Sequence, residues 1–354
     1  MKVFTYFVEP ASYTIDLIKN IHYKLNIDSI FIKNNSHVKS DIDLGSFNFL
    51  TQFFWLQKFL FIRNKRKSND LIIINGYNNY VFILTFLFNI FSFIRKKIAI
   101  ESDSQLREPK SLFLSFFKNL YLNIIFRNKH VLGFAGGSIN QKALFRYYGM
   151  SEDRIFLLPL VVNNDQYFLD KKTFPAKFTF LYVGRLLNTK NVNVLCEKFI
   201  SSFYDKNAEL IIVGFGKNLN RYKKKYKHNK IKFLGAIYGQ ELISIYQNAS
   251  VFVFPSNWEQ WGLVINEALS SGLPVISHKN VGAVDDLILN KNTGFIISNW
   301  DDLEEKMILL YNDRELCENL SHSALMLMKN YWNYNLYKEN LLNVIEKVKF
   351  GNIK

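Results

Sequence analysis

The sequence predicts an α/β protein built from two Rossmann-like domains facing a central cleft. Three observations carry this expectation. Short apolar runs alternate with longer helix-compatible stretches through the first half of the chain. The same rhythm starts afresh in the second half. The length of 354 residues exceeds the size at which a single core usually keeps growing.

In the first half, strands are expected at Lys2–Val8, Ser29–Lys33, Leu71–Asn75, Lys97–Glu101 and Val131–Ala135. Each is a short apolar run that ends at polar or small residues, as buried parallel strands do. In the second half, strands are expected at Phe178–Val183, Glu209–Val213, Ile231–Leu234, Val251–Phe254 and Pro274–Ser277. Helices are expected to start near Asn191, Gly239, Gly262 and Asp301. Strands separated by helices give the βαβ order of a doubly wound sheet. Pro159, Asn163, Asn164 and Pro175 mark irregular chain around residues 160–175. The domains expected are therefore 1–165, 166–334, and a last helix within 335–354 that packs back toward the N-terminal domain.

Composition narrows the class. Hydrophobic residues make up 49% and charged residues 21%, which is ordinary for a globular protein and argues against disorder. The net charge is +15, and the excess is denser in residues 1–165, with 21 basic against 12 acidic side chains. Such a bias favours anionic partners. No nucleic-acid module accompanies it, so nucleic acid is not an expected partner. Cys196 and Cys317 have neither metal-ligand spacing nor a disulfide framework, which points to reduced thiols and a cytoplasmic protein. MKVFTYFVEP is too short an apolar run for a secretory signal and reads as a first strand.

Three N-terminal stretches end apolar, aromatic runs with basic residues: FFWLQKFLFIRNKRKS, YVFILTFLFNIFSFIRKK and KSLFLSFFKNLYLNIIFRNKH. The middle run, Tyr80 to Ile94, falls short of the roughly 20 residues needed to span a bilayer. Two readings stay open. The stretches are helices packed on the sheet, or some are amphipathic and dock on an anionic inner-membrane surface, making the protein peripheral on the cytoplasmic face.

The chemistry concentrates in the second half. In FLYVGRLLNTKNV, a strand ends at Gly184, Arg185 follows at once, and Lys190 stands near a helix start. Ligands of open α/β sheets bind beyond the carboxyl ends of strands. Arg grips phosphate through a fork, Lys supplies a mobile charge, and a helix start adds free N–H groups. In LIIVGFGKN, Gly214 and Gly216 follow another strand and allow close approach of a ligand, but the full dinucleotide fingerprint is absent. In NWEQWGLVINEALSSGLPVISH, a loop carries Glu259, a helix begins near Gly262, and Glu267 lies inside it. The amides of Trp261, Gly262, Leu263 and Val264 fall at that helix start.

With these motifs in register, the stretch from Phe178 to Ile297 resembles the retaining glycosyltransferases of family four, the glycosyl transferases group 1, which have the GT-B fold. The resemblance reaches back through GFAGGSINQKALFRYYGMSEDRIFLLPLVVNNDQYF. Its signature is Glu, seven residues, Glu, matched by Glu259 and Glu267. It implies that Arg185 and Lys190 bind a donor diphosphate and that Glu259 contacts the transferred sugar near its reacting centre. It implies that Trp261 to Val264 lie at the sugar and phosphate through their backbone. Glu267 would bind the ribose hydroxyls. Gly184, Gly214 and Gly216 would lie beside the nucleotide, with Ala236 and Ile237 near the base. It further implies a nucleotide-diphosphate sugar donor, no cofactor and no required metal. The acceptor expected is a glycan or lipid-linked glycan of cell-surface polysaccharide, whether lipopolysaccharide, capsule or exopolysaccharide.

The chain departs from the family pattern in several places. Asn191 replaces the usual Gly after the lysine, Trp261 the usual Phe, and Asp285-Asp286 the frequent Pro-Glu. EPASY, Glu9 to Tyr13, stands where a Gly-rich loop is usual. The His usual after the fourth strand is missing, and Glu101, Ser102 and Asp103 occupy its place. Glu101 and Asp103 are the candidate groups there for hydrogen bonds to the donor sugar or the acceptor hydroxyl. Asp41-Ile42-Asp43 is a literal D-x-D without a metal-site context. The competing function is a non-catalytic sugar-nucleotide-binding subunit of a glycan-assembly complex.

Overall fold

The computed structural model describes residues 1–34, 46–109, 111–289 and 291–353. Asp41-Ile42-Asp43 lies outside them. The chain divides into two compact units, Met1–Val161 with Tyr334–Lys354, and Val162–Asn333. The helix Tyr334–Lys349 thus counts with the first unit.

The first unit holds strands β1 (Val3–Phe7), β2 (Asp28–Phe31), β3 (Leu71–Asn75), β4 (Lys97–Ser102), β5 (Val131–Ala135) and β6 (Ile155–Leu157). They pair in the order β2-β1-β3-β4-β5-β6, all parallel. Leu71 to Ile74 and the whole of β5 are buried, as expected of strands covered on both faces. The helices Trp55–Ser68, Tyr80–Ile90 and Leu112–Phe126 cover one face through Ile62, Val81, Phe82, Phe86, Leu122, Ile125 and Phe126, which join one apolar core with the strands.

The second unit holds β7 (Phe178–Val183), β8 (Ala208–Val213), β9 (Ile231–Gly235), β10 (Val251–Phe254), β11 (Val275–His278) and β12 (Gly294–Ile297). The order is β12-β11-β10-β7-β8-β9, again all parallel. The chain runs outward from β7 in one direction through β8 and β9. It then returns to the other side of β7 for β10, β11 and β12. The strand order therefore reverses between β7 and β10, and this is where doubly wound sheets leave a crevice for ligands.

The expected strands all form, with ends shifted by a residue or two. The strands β6 and β12 go beyond them. Both are short edge strands: β6 has one fully buried residue and β12 ends on its only one. Both are only three or four residues long and mostly half-buried. The helices expected near Asn191, Gly262 and Asp301 begin at Val192, Leu263 and Trp300, and that near Gly239 begins there.

Candidate functional site

Four loops meet at the crevice of the second unit. Those after β7 and β8 touch backbone to backbone. Gly184 N–H donates to Val213 O at 3.0 Å, and Leu186 N–H donates to Phe215 O at 2.7 Å. Gly214 has φ +143°, and a Cβ there would lie 1.9 Å from Gly184 O. No side chain fits, so glycine is required for this approach. Gly216 sits in the same way against the backbone of Leu186. Gly214 N–H also donates to Gly235 O at 2.7 Å, which ties in the end of β9. Ala236, exposed, and Ile237, half-buried, follow in that third loop.

The loop after β10 closes the other side. Asn257 N–H donates to Thr189 O at 2.9 Å, and Asn191 Nδ2 donates to Pro255 O at 3.0 Å. These bonds fix Lys190, which is only 4% exposed, beneath Glu259. Its ammonium forms an ion pair with the Glu259 carboxylate and lies 3.3 Å from Ser256 Oγ. A lysine is rarely buried unless paired, and this pair supplies the partner. Glu259 is itself clamped, because Gly282 N–H donates to its carbonyl at 3.1 Å. Arg185 is exposed, and its guanidinium makes no ion pair or hydrogen bond among the described residues.

Asn191 adopts φ +51°, ψ +32° and caps the helix Val192–Phe203. This left-handed position explains the residue type. Glycine is the easiest occupant, and asparagine is the side chain that tolerates the region best.

Gly262, at φ +99°, turns the chain into the helix Leu263–Ser270. The first N–H groups of any helix lack intrahelical acceptors, so those of Leu263 and Val264 are available as donors. Trp261 turns inward. It is 2% exposed, stacks on Trp332 with 5.5 Å between centroids, and donates from Nε1 to Asn266 Oδ1 at 2.8 Å. It thus anchors the turn through its side chain and offers only backbone to the crevice. Glu267, on the same helix, accepts hydrogen bonds from Tyr246 Oη at 2.8 Å and from Tyr167. Burial pushes its carboxyl up to about 7, against the opposing pull of the two tyrosine hydrogen bonds.

The geometry brings Gly184, Lys190, Gly214, Gly216, Glu259 and Gly262 to the carboxyl ends of β7, β8 and β10. Glu267 has a separate, tyrosine-lined setting. Ser256, Tyr167 and Tyr246 were not anticipated. Nothing in local spacing marks them, since each reaches the site through tertiary packing.

Glu101 and Asp103 belong to the first unit, at the carboxyl end of β4. They line a cavity of about 270 Å³ with Glu9, Tyr13, Asn75 and Tyr337. Glu101 is 9% exposed. It accepts from Asn75 Nδ2 at 2.9 Å and from Tyr337 Oη at 3.0 Å. Burial raises its carboxyl to about 7, the two hydrogen bonds oppose the rise, and the charge on Asp103 adds to it. Asp103 is exposed. Among the described residues the lining includes three carboxylates and no Lys, Arg or His.

Residues 165–325 match the family of glycosyl transferases group 1. The capsular polysaccharide biosynthesis glycosyltransferase CapM of Staphylococcus aureus is 30% identical over 180 residues, 48% of this chain and 46% of CapM. The sulfoquinovosyl transferase SQD2 of Arabidopsis thaliana is 33% identical over 157 residues, 42% of this chain and 30% of SQD2. The match thus spans less than half the length of either relative. The crystal structure of Anabaena HepE in complex with UDP-glucose superposes with a TM-score of 0.73 at 15% identity, covering 98% of this chain and all of that one. This chain has the GT-B fold, and its residues 165–325 match the glycosyl transferases group 1.

Proposed function

We propose that the protein is a retaining, metal-independent glycosyltransferase that moves a sugar from a nucleotide-diphosphate sugar to a glycan or lipid-linked acceptor in cell-surface polysaccharide synthesis. The observation that carries this is the crevice at the carboxyl ends of β7 and β10. There the fixed Lys190–Glu259 pair, the exposed Arg185 and the helix start after Gly262 converge. The donor class follows HepE, whose structure holds UDP-glucose, and the acceptor class follows CapM, named for capsule biosynthesis.

Each group has a role that its geometry suits. An ammonium has three donors. Lys190 directs one to Glu259 and one to Ser256 Oγ and keeps the third for a phosphate oxygen. Arg185 supplies a second cation from the exposed side. The amides of Leu263 and Val264 and the positive end of their helix stabilise the diphosphate as charge builds on it. Glu259, held by Lys190, accepts hydrogen bonds from sugar hydroxyls, and Glu267 accepts them from the ribose. The bond from the sugar C1 to the diphosphate oxygen breaks. The acceptor oxygen attacks the same face, and its proton passes to the departing phosphate oxygen.

The cavity of the first unit is the acceptor site in this reading. Its carboxylates and lack of cations suit a hydroxyl-rich group that is neutral or cationic, and repel a phosphorylated one. The protein works in the cytoplasm, peripheral on the membrane.

A panel of sugar nucleotides screened by thermal shift tests the proposal, because a ligand that binds only the folded chain raises its melting temperature. One sugar nucleotide should stabilise the protein and undergo slow hydrolysis without acceptor. Stabilisation without any turnover would indicate the non-catalytic subunit instead. No stabilisation by any of them would remove the donor reading.

A further inference from the structure

The outer surface of one helical layer in the first unit is apolar where a solvent-facing surface is ordinarily polar. The helices Trp55–Ser68, Tyr80–Ile90 and Leu112–Phe126 share one core on their inner side, so their outer sides form a single face. Those helices and the residues just after them expose Leu112 at 89%, Phe91 at 84% and Trp55 at 77%, and also Phe93, Phe113 and Phe116. Isolated exposed apolar residues are normal, but a contiguous group of large ones marks an interaction surface.

The charge on the same segments is one-sided. Residues 53–69, 80–97 and 111–129 hold eleven Lys and Arg and no Asp or Glu. Among the described residues five of the eleven are engaged inside the unit: Arg66 with Asn89, Lys65 with Asp28, Lys96 with Asp70, and Lys97 and Lys118 with the backbone oxygens of Lys129 and Arg107. Arg63, Lys67, Arg95, Arg127 and Lys129 are exposed. A second copy docked here through the same face would bring cations against cations. A nucleic acid would satisfy the cations and leave the aliphatic groups in water. An anionic bilayer surface satisfies both, with aromatic and aliphatic side chains at the headgroup–acyl boundary and cations among the headgroups. Among the described residues no helix is long and apolar enough to cross a membrane, so the layer lies on the bilayer.

The layer also touches the cavity. Tyr121, on its third helix, donates a hydrogen bond to the backbone oxygen of Tyr77, which lines the cavity. We infer that this helical layer lies flat on an anionic bilayer and sets the cavity of the first unit beside the headgroup of an amphiphilic acceptor held there. The docking stands on the surface alone. The acceptor clause rests on the function proposed above.

The test is flotation of the full chain with vesicles of phosphatidylcholine alone and with about one third phosphatidylglycerol. Binding is expected only to the anionic vesicles, and it should weaken with salt. Replacing Arg63 and Lys67 together by Gln should weaken it about 25-fold, at about fivefold per cation. The double change Phe113→Ser with Phe116→Ser should weaken it about tenfold or more. Both variants should keep the thermal shift given by the sugar nucleotide. Equal binding to both vesicle types, or none to either, would overturn the inference. So would a dimer in solution that the Phe variant dissociates, or oligonucleotide binding that the Arg/Lys variant loses and the Phe variant keeps. Vesicle binding by a chain that no sugar nucleotide stabilises would sustain the docking and remove the proposed function.

Discussion

Glu101 gives the first unit a pH dependence that one substitution should erase. Its carboxyl is raised from 4.5 to about 7, chiefly by burial. Below pH 4.5 both folded and unfolded chains hold the proton. Between pH 4.5 and 7 the folded chain keeps it and the unfolded chain releases it, so stability falls as pH rises, and the loss is complete above pH 7. A shift of this size amounts to about 3 kcal/mol. For a unit of this length that is roughly 6–12 °C in melting temperature.

Glu101→Gln removes the ionisation but also a hydrogen bond. Asn75 Nδ2 and Tyr337 Oη both donate to the carboxylate, and an amide offers a single acceptor oxygen. One donor then faces an NH₂ group, at a cost of about 1–3 kcal/mol that does not vary with pH. The variant should therefore be clearly less stable at pH 5 and close to the wild type at pH 8. Calorimetry at the two pH values measures the gap, and hydrogen exchange on β3 and β4 assigns it to the first unit. That assignment matters because Glu267 in the second unit is also raised to about 7. A gap of equal size at pH 5 and pH 8 would refute the reasoning.

The crevice yields three further expectations. Gly214→Ala places a Cβ 1.9 Å from Gly184 O. It should cost more than about 2 kcal/mol of stability and abolish donor binding, read by thermal denaturation with and without sugar nucleotide. Arg185→Ala removes an exposed cation, so melting should stay within about 0.5 kcal/mol of wild type while donor affinity drops about tenfold or more in calorimetric titration. Donor affinity should fall about tenfold from pH 8 to pH 6 as Glu267 takes up its proton, and Glu267→Gln should flatten that profile.

How much of this the sequence reveals depends on how local each cause is. Central strands such as β3 and β5 are buried on both faces, so their own residues declare them. The edge strands β6 and β12 are three and four residues long with one buried residue each, so their apolar runs do not declare a buried strand. The same divide runs through the crevice. Gly214 and Gly262 answer to backbone angles and mark themselves by type. Tyr246 and Tyr167 reach Glu267 from different helices, across separations in sequence that no spacing rule covers. The stack of Trp261 on Trp332 is equally remote. It gives the bulkier aromatic at position 261 a flat partner and so accounts for its fit.

Carboxylates show why residue type alone understates a site. From the sequence, Lys190 and Glu259 had separate tasks, one at the phosphates and one at the sugar. The fold makes them one pair, with Lys190 buried and Glu259 a quarter exposed, and removing Glu259 leaves a buried ammonium without its ion-pair partner. Neither can then be altered to test its own role alone. Glu101 and Asp103 divide in the opposite sense. They stand two positions apart and looked interchangeable. Glu101 spends both oxygens on Asn75 and Tyr337 and joins the last helix to the sheet, whereas Asp103 stays exposed at the same cavity. Between these two, Asp103 is the carboxylate exposed to solvent at the cavity, and Glu101 is the one whose loss should register first as altered stability.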